Sequence, residues 1–526
     1  MGFMTWELFR CGDNKGPNDN CTDPLTTYCI SDALIRGQAQ AMVSRGFVAA
    51  GYTYASLDDC WMSGRDAATH ELIADPSAFP GGTLERTAAA IHALGMKLGT
   101  YTAESPSTCC GHVGSANYEQ VDAANFAKWG VDYLKVDGCN DDYDYYATGY
   151  PLMGQSLEGS GRPIAYSCSW PDYWMDHVHG ATSYGRRRTH MRAHWLKRGQ
   201  FVRQAHIRPP NVCPLYHLFV VYNATFSAGN ITSVNWTQVI GAGCNQYRVS
   251  YDIDCNEASL FKIIDFFGDN GRDMAPHHGP GHWMDADQLI IGNGCISPAE
   301  ERTQMAIWCV MAQPLFASTD FRNITADSAT VLLNAAAIAI DQDALGVMGL
   351  RLEPTNAAPQ QRWAKPLSDG GVAVALTNRH GGAAPCSPTD WTITYNGYNE
   401  TCGGCRGFNG LTLGEAEAAC CADDECAGFS FSNRTGGPGQ GCYKADHNCG
   451  FVNSTQYIGV FKRDFPPPVP PPADIMINFA DVNLTGHVAV YDVWLQQSLG
   501  VFVNSFTAKA VAYHDTAFLK FLRVAE

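Results

Sequence analysis

An α/β fold is predicted for this chain of 526 residues: a (β/α)8 (TIM) barrel, then an antiparallel β-sandwich domain carrying a small disulfide-rich insert. Three observations predict it. Residues 1–345 alternate helical stretches with short apolar, β-branched runs about eight times, as βα units around a parallel sheet do. After residue 346 the runs become strand-like and lack intervening helices. Among those runs lies a block with seven cysteines, Cys402, Cys405, Cys420, Cys421, Cys426, Cys442 and Cys449, closed by the stiff spacer Pro466-Pro467-Pro468-Val469-Pro470-Pro471-Pro472. The expected layout is a barrel over 1–345 with a basic insertion near 184–212, a β domain over 346–400 and 474–526, an insert over 401–465, and a Pro-rich linker over 466–472.

Taken in order, residues 32–43 have helical spacing with Ser31 or Asp32 as cap, and Gly51-Tyr52-Thr53-Tyr54 reads as a strand. A helix over 83–94 precedes the strand Lys97-Leu98-Gly99-Thr100-Tyr101, and a helix over 121–129 precedes Val131-Asp132-Tyr133-Leu134-Lys135-Val136. Further strands are expected at 163–167, around 249–253, at His282-Trp283 and near 314–317. Residues 184–212 carry eight basic side chains, Arg186, Arg187, Arg188, Arg192, Lys197, Arg198, Arg203 and Arg208, and no acid. They read as an insertion: either a contact loop for an anionic polymer or, favoured, a disordered or mistranslated stretch. In the β-rich region, Gly371-Val372-Ala373-Val374-Ala375-Leu376 and Val488-Ala489-Val490-Tyr491-Asp492-Val493-Trp494 suit antiparallel strands.

The chain carries 35 basic and 52 acidic side chains, a net charge of −17, which argues against nucleic acid as a partner. No apolar run reaches the roughly 18 residues a membrane span needs. The 21 cysteines are too many and too scattered for a reduced compartment, and nine N-x-S/T sequons, at Asn20, Asn223, Asn230, Asn235, Asn323, Asn399, Asn433, Asn453 and Asn483, agree with the secretory pathway. The expected location is extracellular, lysosomal or vacuolar.

Polar residues collect where the barrel runs end: Asp58-Asp59, Tyr101, Asp137, Ser169, Asp252 and Asp285/Asp287. Strands of a parallel barrel open on one face at their C-terminal ends, so these residues should converge in space. For any one aspartate alone, the bland alternative of a cap or turn residue is at least as good.

Long strings then carry a resemblance: Met1-Gly2-Phe3-Met4-Thr5-Trp6-Glu7, Leu57-Asp58-Asp59-Cys60-Trp61, Tyr133-Leu134-Lys135-Val136-Asp137-Gly138-Cys139, Tyr166-Ser167-Cys168-Ser169-Trp170-Pro171, Gly279-Pro280-Gly281-His282-Trp283 and Ile338-Ala339-Ile340-Asp341-Gln342-Asp343. In this order they resemble glycoside hydrolase family 27, the α-galactosidases and α-N-acetylgalactosaminidases. The resemblance implies a retaining glycosidase acting on terminal α-galactosides, with Asp137 as nucleophile and Asp252 as general acid/base. Two carboxyl groups about 5–5.5 Å apart suit such a double displacement. Lys135, two residues before Asp137, shares its inward face by strand alternation and would help keep it ionised.

By the same resemblance Asp58 and Asp59 hold the 4- and 6-hydroxyls of galactose, Trp6 stacks on its apolar face, and Tyr101, Tyr173, Arg248 and Asp287 line the pocket. No cofactor and no metal are expected: no HExxH occurs, and His277-His278 followed by His282 lies in a Gly/Pro turn that, by the resemblance, binds none. The implied disulfides are Cys11 with Cys60, Cys21 with Cys29, Cys109 with Cys139, and Cys168 with Cys244, although Cys110 competes with Cys109. Cys213, Cys255 and Cys295 are left without partners, and Cys309 is expected as a buried free thiol.

At the two positions that separate the family's activities the chain has Ser169 and Asp172. Ser169 leaves room at the sugar's 2-position, whereas Asp172 fits neither pattern. α-Galactosidase is the first expectation, α-N-acetylgalactosaminidase the second, and an inactive glycan-binding or assembly protein the third. Residues 402–463 look like a PAN/apple-type module, either a glycan or protein docking element or a purely structural insert. A homodimer is compatible with the resemblance.

Overall fold

The structure, a computed structural model, describes residues 1–12, 21–140, 143–173, 231, 234–353, 358–379 and 471–524, together with 391–398, 406–413, 415–416, 428–432, 439–444 and 452–462. The basic stretch 184–212, most of the linker 466–472, and the insert's cysteines other than Cys442 lie outside the described residues. Two compact units are formed, one by the described parts of Met1–Tyr216, Phe226–Asn378 and Asp474–Glu526, the other by those of Arg379–Ala473.

Eight parallel strands build the first part of the larger unit: β1 Gly2–Met4, β2 Tyr54–Ser56, β3 Lys97–Ala103, β4 Tyr133–Asp137, β5 Ala165–Cys168, β6 Gln246–Arg248, β7 Trp283–Asp285 and β8 Phe316–Ala317. They pair in the order β8-β1-β2-β3-β4-β5-β6-β7. A parallel bridge from Leu289, just after β7, to Ala317 of β8 joins the two ends into a TIM-type barrel. Helices cover its outer side, so the strands are buried on both faces and read as apolar runs. Their ends are set by local chemistry. Ser31 caps the helix Asp32–Ser44 by accepting from the Leu34 N–H at 3.1 Å, and Gly130, at φ 82°, ends the helix Glu119–Trp129 just before β4.

Two strands are displaced from expectation: the one read at Gly51-Tyr52-Thr53-Tyr54, which spans Tyr54–Ser56, and the sixth. The sixth was expected around Val249–Ile253 but is formed by Gln246–Arg248. The β-branched residues downstream are buried in a loop instead, where the Ile253 N–H donates to Asp287 Oδ2 at 2.8 Å. A side chain more than thirty positions away thus takes up the donor that a longer strand would have used.

A six-stranded antiparallel sheet follows, ordered Leu350–Arg351, Gln360–Pro366, Val372–Asn378, Thr516–Arg523, His487–Asp492, Gln497–Val503. It packs on the helix Pro298–Met311 of the barrel, which begins with a capping box between Ser297 and Glu300 and is buried along nearly its whole length. Lys365 crosses this seam fully buried, and its ammonium donates to the carbonyls of Cys309, Ile340 and Asp341 at 3.3, 2.6 and 3.2 Å. Cys309 is a buried free thiol.

The smaller unit is a five-stranded antiparallel sheet ordered Trp391–Tyr398, Val452–Lys462, Gly428–Ser432, Gly439–Lys444, Arg406–Leu411. Residues 391–398, within the stretch expected to form part of the C-terminal β domain, make the strand Trp391–Tyr398, which pairs with Val452–Lys462. Strand-forming composition shows that a segment extends without showing which sheet completes it. Among the described residues no helix is long and apolar enough to cross a membrane.

Candidate active site

Parallel register sets neighbouring strand ends side by side: Tyr101 beside Lys135, Ala103 beside Asp137, Lys135 beside Ser167, and Arg248 beside Asp285. Asp137 ends β4, and its carboxylate receives three hydrogen bonds. The Tyr173 hydroxyl and the Gly138 N–H donate to Oδ1 at 2.8 and 3.0 Å, and the Tyr101 hydroxyl donates to Oδ2 at 3.3 Å. Both tyrosines also lean on one disulfide, Tyr101 on Cys109 and Tyr173 on Cys139, so the Cys109–Cys139 bond braces the two donors. Burial, with Asp137 alongside, pushes both phenols well above their usual range, so they stay protonated as donors.

Lys135 lies two residues earlier on the same inward face. Its ammonium donates to Asp58 Oδ2 at 2.8 Å and sits 5.3 Å from the centre of the Tyr101 ring. Burial works against this ammonium, but Asp58, Asp137 and Asp287 together hold its proton more tightly than usual. Asp58 and Asp59 follow β2, both buried. The Asp58 N–H donates to Thr5 Oγ1, and its Oδ1 accepts from the Asp59 N–H. Asp59 accepts from the N–H groups of Cys60 and Cys110 at 2.7 and 3.0 Å. Burial raises both carboxyls, Asp59 to about 6, and Lys135 opposes the rise at Asp58.

Asp252 lies in the loop after β6, its side chain 69% exposed. Arg248 reaches it at 3.0 Å and reaches Asp287 Oδ2 at 3.2 Å, while also donating to the carbonyls of Ser250 and Tyr251. Desolvation pushes the Asp252 carboxyl up, but Arg248 and then Lys135 outweigh it and hold it below the usual carboxylate range. Asp287, at φ 72°, turns the chain so that its carboxylate accepts from the N–H groups of Ile253 and Gln288. Ser169 is buried after β5, its N–H donating to the Val136 carbonyl. Asp172, half-buried, contributes to the negative field on Arg248. Trp6 opens a four-residue helix after β1, partly exposed.

Four disulfides join the pairs that the family resemblance implies, Cys11–Cys60, Cys21–Cys29, Cys109–Cys139 and Cys168–Cys244. A fifth, Cys255–Cys295, links two cysteines that spacing left unassigned, and Cys110 is also disulfide-bonded. Sequence reasoning also passed over Glu7, Arg10, Asp254 and Gln246. Glu7 is buried, and burial, opposed by Arg10, pushes its carboxyl up to about 8. Gln246 donates to Asp285 Oδ2 at 2.7 Å. The adjacency of Glu7 to Trp6 was the one available signal.

Among the described residues, three groups close enough to hold a cation contain disulfide cysteines, which offer no thiolate, and a fourth is Glu257, Glu300 and His514 at the helix–sheet seam. His278 is buried with Nδ1 accepting from the Met284 N–H. Chemically, the barrel mouth offers one carboxylate fixed by three donors, a second that is exposed and held by an arginine, and a buried ammonium beside the first.

Residues 1–199 and 219–343 match the family model described as Alpha galactosidase A, and residues 450–521 match that of the Alpha galactosidase C-terminal beta sandwich domain. The chain is 36% identical over 381 residues to the α-N-acetylgalactosaminidase of Rattus norvegicus, covering 72% of this chain and 76% of that one. It is 34% identical over 390 residues to α-galactosidase A of Homo sapiens, covering 74% and 76%. Among solved structures, α-galactosidase I from Mortierella vinacea is similar with a TM-score of 0.61 at 21% identity, covering 99% of this chain and 96% of that one. An α-galactosidase from Saccharomyces cerevisiae gives 0.59 at 20% identity, covering 100% and 97%. At these identities the structural likeness speaks for the fold alone.

Proposed function

The chain belongs to glycoside hydrolase family 27, the α-galactosidases and α-N-acetylgalactosaminidases, and from that premise we propose that it removes terminal α-linked galactose from oligosaccharides or glycoconjugates by double displacement. The observation that carries this reading is the contrast between its two carboxylates. Asp137 is fixed by three donors with the Lys135 ammonium alongside, the setting that keeps a nucleophilic oxygen aimed at one point. Asp252 stands exposed on a loop, as a group that exchanges protons with a leaving group and then with water must. In the first step an Asp137 oxygen bonds to the anomeric carbon as the glycosidic bond breaks, and protonated Asp252 gives its proton to the departing oxygen. In the second, the Asp252 carboxylate takes a proton from water, the water oxygen bonds to the anomeric carbon, and Asp137 is released.

Asp58 and Asp59 serve as acceptors for sugar hydroxyls, and Trp6 as a platform for the sugar's apolar face. Tyr101, Tyr173, Arg248 and Asp287 orient the two carboxylates. A second reading, α-N-acetylgalactosaminidase, is favoured by Ser169, whose small buried side chain leaves space at the 2-position. Five described disulfides suit work in an oxidising compartment of the secretory pathway.

Hydrolysis of p-nitrophenyl α-galactoside beside its 2-acetamido analogue, with Asp137→Asn as control, tests the proposal. Preferred turnover of the galactoside is expected, with Asp137→Asn inactive. Preferred turnover of the analogue would favour the second reading, and no turnover of either by folded protein would sink both.

A further inference from the structure

The described part of the active-site rim holds one cation outside the Arg248 and Lys135 network that touches three of its parts at once. Arg10 ends the short helix that begins at Trp6, at φ 46°, a conformation that a non-glycine residue adopts only when its surroundings hold it there. Its guanidinium carbon lies 5.1 Å from the centre of the Trp6 ring, within cation–π range. The same guanidinium pairs with Glu7 at 2.6 Å and with Asp254 at 3.7 Å. The next residue, Cys11, is bonded to Cys60, directly after Asp59. Arg10 therefore stands between the aromatic platform, a covalent strap to the Asp58-Asp59 loop, and the loop that carries Asp252.

We propose that Arg10 is a positioning residue of the reaction: its guanidinium ties the Trp6 platform to the Asp252–Asp254 loop, so that sugar stacking and proton transfer keep one geometry. This rests on the hydrolase reading of the site. The tie also has an electrostatic side. Asp252 faces Arg248, Lys135 and Arg10, all of which favour its ionised form, while Glu7, Asp254 and Tyr173 are the acidic groups that feel its charge. Removing the Arg10 charge makes Asp252 hold its proton to higher pH. Removing the Asp254 charge does the reverse.

The test is kcat and KM against pH on p-nitrophenyl α-galactoside for wild type, Arg10→Met, Arg10→Lys and Asp254→Asn, with galactose affinity measured by calorimetry. Arg10→Met is expected to raise KM and weaken galactose binding about two- to five-fold, the worth of an accessible cation–π contact. It should also shift the alkaline limb of kcat/KM upward, with Arg10→Lys restoring the limb. Asp254→Asn, a change at an exposed side chain that should leave folding intact, should shift the limb downward. An unchanged limb and unchanged galactose affinity in Arg10→Met, or limbs that move the same way in Arg10→Met and Asp254→Asn, would overturn the proposal. If wild type turns over no α-galactoside, the hydrolase reading fails by itself, and galactose affinity alone decides the role of Arg10.

Discussion

Replacing Lys135 by methionine separates the stability of the site from its chemistry. The ammonium is almost fully buried and bonded to Asp58 at 2.8 Å. Breaking a buried pair by removing one partner costs about 3–5 kcal/mol, because the other charge is left without compensation. Asp58 can escape part of that cost by taking up a proton, since burial already raises its carboxyl against the pull of Lys135. The sign follows: an acid whose folded pKa is raised binds a proton in the native state that the unfolded chain has released, so stability falls as pH rises above about 4. Lys135→Met should therefore lose less stability at pH 4.5 than at pH 7.5, read by urea denaturation. A second change, Asp58→Asn, should recover much of the loss at pH 7.5. Activity should behave differently. Loss of a preorganised charge beside the reacting carboxylate costs about 10²- to 10³-fold in turnover, and Asp58→Asn should not restore it. Equal stability losses at the two pH values, or activity within tenfold of wild type, would refute the reasoning.

Lys365→Met should destabilise the protein by about 3–5 kcal/mol in chemical denaturation, since three backbone carbonyls lose their shared donor and buried Asp341 loses its counter-charge. Glu7, pushed up to about 8 by burial, should give stability that falls between pH 4.5 and 8 with a share of up to about 1.4 kcal/mol per pH unit, and Glu7→Gln should flatten that part of the curve. Because Asp252 must be protonated for the first step while Arg248 and Lys135 hold its carboxyl low against desolvation, kcat/KM should be highest in the acid range and decline as Asp252 loses its proton. A profile flat from pH 4 to 8 would contradict that assignment.

Much of the cluster was legible because it obeys one rule, a polar residue following a barrel strand. Asp58, Asp59, Asp137, Ser169 and Asp287 all sit at such ends, Tyr101 lies two residues inside the end of β3, and alternation along β4 placed Lys135 with Asp137. The missed parts depend on contacts that no local pattern carries. β1 and β8 have three and two residues, too few for any periodicity. Arg10 and Asp254 meet across more than two hundred positions, as do Asp515 and Arg302 at the helix–sheet seam. Cys255 and Cys295 pair only because the loops after β6 and β7 run side by side. Trp391–Tyr398 lies within the stretch expected to form the β domain, and its partner was set by the sheet of the smaller unit rather than by any local pattern.

Double displacement through Asp137 and Asp252 is tested most directly by the stereochemistry of the first product. Proton NMR of fresh p-nitrophenyl α-galactoside hydrolysis should show α-galactose appearing first, with the β anomer growing only at the rate of mutarotation. β-Galactose as the initial product would mean single displacement by water, and neither Asp137 as nucleophile nor Asp252 as its acid/base partner would survive that result.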